Sequence, residues 1–122
     1  MLPDLRGIEF DWFAIDSDGN LALFATAGEG FFPKSVADHH VNHSSLSESL
    51  SAPHIGTSAV WNDYAALGLY VFDWALPGGP YEMRASPTCA ASHELKRAIE
   101  AVPKLPRFGG SFAGLGKVEC WQ

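Results

Sequence analysis

The stretch FDWFAIDSDGNLALF, residues 10 to 24, decides how the chain begins to fold. Residues 8 to 15 and 21 to 26 are rich in aromatic and apolar types, and Ser17-Asp18-Gly19-Asn20 lies between them. Asp-Gly tolerates the positive φ that tight hairpins require, so the stretch predicts a β-hairpin closed by a type I′ turn at Asp18 and Gly19. Phe10, Trp12 and Ala14 fall on one pleat face and Phe13 and Ile15 on the other, with Asp11 as the exception. Strands apolar on both faces belong in the centre of a covered sheet, with helices over both faces or helices on one and a partner on the other.

Beyond the hairpin, Ala27-Gly28-Glu29-Gly30-Phe31-Phe32-Pro33 reads as a glycine-punctuated loop. Ser35 then reads as the N-cap of a polar helix reaching about Leu50, with only Val36, Val41, Leu46 and Leu50 as large apolar residues. A second helical pattern starts at Thr57 or Ser58, places Val60, Tyr64 and Leu67 on one face, and stops at Gly68. Leu69 to Ala75 is a strand, Pro77 to Pro80 turns it, and Tyr81 to Ala85 pairs back as a second hairpin. A last helix runs from Ser92 to about Val102 with Leu95, Ile99 and Val102 as its buried stripe. The glycine-rich tail supplies edge strands around 107 to 113 and 116 to 121. The expected fold is α+β: an antiparallel sheet from two hairpins plus C-terminal strands, packed against about three helices.

The whole, residues 1 to 122, fits one domain, because a chain of this size buries roughly two-thirds of its surface on folding. A net charge of −6, from 14 acidic and 8 basic residues, repels phosphate backbones and anionic lipid and attracts a basic partner. Nucleic acid and membrane are therefore disfavoured as partners. With neither a signal-peptide pattern nor a long apolar run, the expected location is cytoplasmic. Cys89 and Cys120 lack metal or disulfide spacing and read as two buried free thiols.

Chemistry is sparse. Counted from Asp16 as an EF-hand, Asp16, Asp18 and Asn20 supply oxygens, but glycine falls at position 4 and position 12 is Ala27, so the calcium cage fails. His39 and His43 stand four apart, the spacing of zinc-binding helices, and His54 is a candidate third ligand. The competing interpretation is a solvated helix face whose histidines titrate near neutrality. No serine sits in G-x-S-x-G, and the glycine-rich pieces lack the P-loop lysine or a dinucleotide fingerprint. Phe10-Asp11-Trp12 recurs as Phe72-Asp73-Trp74, and Asp11 can face Asp73 if the two hairpins are sheet neighbours.

The pattern D-W-F-A-x-D-x-x-G-x-x-A-x-F-x-x-x-G-x-G-x-x-P, from Asp11 to Pro33, covers about a fifth of the chain. It resembles the N-terminal signature of small uncharacterised bacterial proteins, some of them similar to immunity proteins encoded beside polymorphic or contact-delivered toxins. That resemblance implies a non-enzymatic, cofactor-free binding protein that occludes the active or substrate site of a toxin; the acidic balance adds that the toxin domain is basic. Asp16 and Asp18 in the turn and Glu29, Phe31 and Phe32 in the following loop are the candidate contact residues, unless the two phenylalanines fold back over the core. The alternative function is a small metal- or ligand-binding domain using His39, His43 and His54.

Overall fold

A computed structural model describes residues 10 to 26, 32 to 73 and 80 to 118. The fold is α+β: a five-strand mixed, curled sheet, half of a barrel, with four helices, three of seven residues or more. The strands are β1 (Asp11–Ile15), β2 (Leu21–Ala25), β3 (Tyr70–Asp73), β4 (Tyr81–Ala85) and β5 (Lys117–Val118). They lie in the sheet in the order in which they occur in the chain. The helices are α1 (Lys34–Asp38), α2 (His40–Ser49), α3 (Val60–Ala66) and α4 (His93–Glu100).

Both expected hairpins form, β1 with β2 and β3 with β4. The sheet is nevertheless not antiparallel throughout, because β2 and β3 run parallel, Phe24 beside Phe72. Three helices intervene between these strands, and a connection of that length permits the crossover that parallel pairing needs. The first turn also differs from the type I′ expected. Gly19 has φ of 85° while Asp18 is not in the positive region, Gly19 N–H donates to the Asp16 carbonyl, and Asp16 N–H donates to the Asn20 carbonyl. That is a three-residue loop, a type I turn followed by a left-handed glycine.

The two faces of the sheet are both covered, as the apolar content of β1 and β2 requires. On one face Trp12, Phe24 and Phe72 stand in register across three strands and stack, with ring centroids 4.3 and 4.7 Å apart. Phe112 and Val118 from the tail, with Val36 of α1, close over that ladder. On the other face Phe13, Leu23 and Val71 meet Tyr64 of α3 and Ile99 of α4. At about 25 cal/mol per Å² of apolar surface, burying such aromatic side chains dominates the favourable side of folding.

β1 is the last strand of the sheet, not a central one, and its outer edge is covered by other means. Ile15 N–H donates to the Pro106 carbonyl, Phe108 N–H to the Ile15 carbonyl, and Ser17 N–H to the Gly110 carbonyl. The tail thus forms a strap: an isolated parallel bridge at Arg107 on the β1 side, then β5 against β4 on the other. The expected tail strand 107 to 113 is reduced to that bridge, and residues 119 to 122, with Cys120, lie outside the described residues. So do Trp74 and residues 75 to 79 of the expected strand and turn. Cys89 is a free thiol and is exposed rather than buried.

The helix expected from Ser35 to Leu50 is broken at His39, whose φ of −125° leaves the helical region; Pro33, not Ser35, precedes its first turn. α4 starts where expected, after Ser92, whose hydroxyl caps it by accepting from Leu95 N–H at 3.1 Å. Gly68 terminates α3 as the spacing predicts. Its N–H donates to the Ala65 carbonyl and Leu69 N–H to the Tyr64 carbonyl, a Schellman arrangement with Gly68 at φ 97°. A Cβ there would meet the Ala91 backbone nitrogen at 2.3 Å. Gly68→Ala is expected to lower stability by about 2 kcal/mol in urea unfolding, from left-handed strain and displacement of the 90 to 91 backbone.

Candidate functional site

Because side chains alternate along a strand, Asp11, Phe13 and Ile15 share the helix-covered face. The register sets Asp11 beside Ala25, and one step beyond the Phe24–Phe72 pair Ala25 stands beside Asp73. The two aspartates of the repeated Phe-Asp-Trp element therefore occupy one row with a single alanine between them. Their Cα atoms are roughly 10 Å apart, two inter-strand spacings. A methyl group between two longer side chains leaves a slot in the sheet.

Above this row lies a cavity of about 380 Å³. Phe10, Asp11, Leu23, Ala25, Val71 and Asp73 form its floor; Ser44, Ser47 and Glu48 of α2 and Val60, Trp61 and Tyr64 of α3 form its walls. Ile55, 72% exposed, stands at its mouth with Gly56. The polar groups inside are held in place. Ser47 Oγ donates to Asp11 Oδ2, and Trp61 Nε1 donates to Asp73 Oδ2 at 3.3 Å. Burial, followed by the charge of Asp11, pushes the Tyr64 hydroxyl up to about 12. The cleft is lined by carboxylates and by the aromatic side chains of Phe10, Trp61 and Tyr64.

Trp61 carries a second contact. The Arg84 guanidinium carbon lies 5.2 Å from its ring centroid, and Arg84 Nη2 is 3.7 Å from Glu82 Oε1. Arg84 does not line the cleft. The indole is thus fixed by Asp73 and packed beside a cation at the same time.

The histidines are not gathered. His43 is fully buried and is the one buried residue of α2. Its Nδ1 accepts from Phe13 N–H at 3.0 Å, and its ring lies parallel to that of Phe13. Burial, helped by nearby His39, lowers it to about 4, so it does not titrate near neutrality as a solvated residue would. His54 faces Asp63 instead, with Nδ1 2.9 Å from Oδ1, and its hydrogen bond holds the Asp63 carboxyl below its ordinary value. Among the described residues no group of three or more His, Cys, Asp or Glu is arranged to hold a metal ion. The signal for His43 was present in the sequence: positions 43, 46, 47 and 50 recur at helical spacing, so His43 shares a stripe with Leu46 and Leu50.

Asp16 is buried and Asp18 exposed. Asp16 Oδ1 accepts from the N–H of Asp18 and of Asn20, at 2.9 and 2.8 Å; Oδ2 accepts from Phe112 N–H at 2.9 Å and from the Asn20 amide at 3.2 Å. Burial acts to raise this carboxyl, but the bonds from Phe112, Asn20 and Asp18 outweigh it and hold it below its ordinary value. Phe32 is half-buried and packs edge-on against Phe10 with centroids 5.3 Å apart. Glu29 and Phe31 lie outside the described residues.

No helix among the described residues is long and apolar enough to cross a membrane. Compared with known proteins, the chain matches no family model, no curated protein and no solved structure.

Proposed function

We propose that this chain is a non-enzymatic binding protein of the immunity type, which neutralises a basic toxin domain by covering its active or substrate site. The observation that carries the proposal is the cleft over Ala25, where two strand carboxylates and Glu48 of α2 line an opening rimmed by exposed Ile55. The carboxylates are an electrostatic complement for a basic partner, and Ile55 gives that partner apolar surface beside them. A net charge of −6 adds long-range attraction for a basic partner and speeds encounter.

The groups in the cleft favour binding over turnover. Ser47 donates its proton to a carboxylate, a weak base, and Tyr64 holds its own proton far above neutral pH. The proposal is tested by expressing the product of the neighbouring gene alone and with this chain. Growth arrest relieved by co-expression, with a complex recovered by pull-down, is the expected result. A harmless neighbour, or arrest that persists, ends the proposal.

A further inference from the structure

We infer that α2 is a lid, which swings off β1 as one unit from a hinge at His39 while the sheet beneath it stays folded. α1 and α2 straddle the outer edge of β1. Val36 of α1, fully buried, packs with Trp12 on the ladder face, whereas Leu46 of α2 and the following Leu50 pack with Phe13 on the other. Between the two helices His39 leaves the helical region, so the chain already bends where the lid would turn. Opening would take Ser44, Ser47 and Glu48 out of the cleft and leave its floor of Asp11, Ala25 and Asp73 in the sheet. For the proposed binding role, on which this consequence alone rests, the lid is where the cleft is regulated without unfolding the protein.

The closed position is weakly held. No side chain caps the first turn of α2, no acid lies there, and the last turn holds Glu48 instead of a base, the wrong sign for the helix dipole. A helix of 10 residues is marginal unless packing holds it. Its one fully buried residue, His43, is polar. Because Nδ1 accepts the Phe13 N–H, Nε2 carries the ring proton, and that buried donor has no hydrogen-bond partner among the described residues. Opening hydrates it, which lowers the cost of leaving β1. Against this stand the half-buried Leu46 and Leu50 and the bond from Ser47 Oγ to Asp11 Oδ2. β1 itself is bonded along β2 and strapped by the tail at Ile15 and Ser17. Lid and sheet therefore differ in stability.

Native-state amide exchange on the full chain, followed by nuclear magnetic resonance at rising sub-denaturing urea, tests the lid. Phe13 is the reporter, because its N–H lies in the sheet yet is bonded to the lid, while the Trp12 and Ala14 N–H groups face β2. Phe13 should be protected to within about threefold of the amides of Leu46 to Ser49, on the order of a hundredfold less than Trp12 and Ala14, and with little dependence on urea. Leu46→Ala should lower the protection of Phe13 and of α2 by the same factor, with circular dichroism showing the strands intact. Protection of Phe13 equal to that of Trp12 and Ala14, α2 amides with the urea slope of the sheet, or a Phe13 that does not follow α2 in Leu46→Ala each overturns the inference. None of these readings involves the toxin: failure to rescue ends the immunity role and leaves the lid, and a failed exchange test does the reverse.

Discussion

Acidification from pH 6.5 to pH 4 is expected to cost the folded protein about 3 kcal/mol through His43 alone. The Nδ1 lone pair of His43 accepts the Phe13 N–H on the outer edge of β1, so the folded state requires the neutral ring. Protonation would turn that acceptor into a donor facing another donor, in a site with no solvent access. Burial, and secondarily His39, put the folded pKa at about 4, below the ordinary 6.5. The unfolded chain therefore binds this proton first. Stability from His43 is complete above pH 6.5, falls as pH drops towards 4, and changes no further below it. Urea midpoints measured across this range should follow that course, and His43→Gln, whose Oε1 can accept the same N–H, should flatten it. An unchanged pH dependence in His43→Gln would mean that other groups govern acid lability.

The consequence extends to the cleft. His43 is the one fully buried residue of α2, with Leu46 half-buried beside it on the same stripe. The next turn of the same helix carries Ser44, Ser47 and Glu48, which form one wall of the cleft. Loosening the helix at His43 would move that wall, so partner affinity should weaken over the pH range in which stability falls.

The hairpins, the helix ends at Ser92 and Gly68, and the doubly covered sheet were legible because each rests on local chemistry: turn residues, caps and the period-two pattern of Phe10 to Phe24. The parallel pairing of β2 with β3 was not, since strand direction after a long helical connection depends on tertiary packing that no short window contains. The role of His43 was missed for a related reason. A histidine four residues from another suggests ligation, whereas the decisive fact is the unpaired strand edge that it caps, and that edge exists only once the sheet is assembled. The repeated tripeptide singled out Asp11 and Asp73, which share one row but stand two strands apart rather than face to face. The slot between them was not, because Ala25 is unremarkable until register places it in the middle of the row.

Replacing Asp16 is expected to produce the largest loss of stability at neutral pH, about 4 kcal/mol for Asp16→Ala. This carboxylate accepts from three backbone N–H groups and one side-chain amide, and the donors belong to two distant segments: the turn at Asp18 and Asn20, and the tail at Phe112. Hydrogen bonds to a charged acceptor are worth roughly 1.5 to 3 kcal/mol each, and removal would leave the buried Phe112 N–H without a partner. Phe112 is fully buried against the Trp12–Phe24–Phe72 ladder, so unseating its backbone also loosens the strap over that face. The Asp16 carboxyl is held below its ordinary value in the folded state, so its contribution is present above the unfolded carboxylate pKa and is lost as pH falls through the folded one. Asp16→Asn keeps one acceptor oxygen but turns an amide donor towards one of the N–H groups, and should lose about half as much. Urea unfolding at pH 7 checks the magnitude, and amide exchange at Phe112 checks the cause, since its protection should collapse in Asp16→Ala before the core amides of β2 are affected. A loss below about 1 kcal/mol would show that the turn and the strap are held independently of this carboxylate.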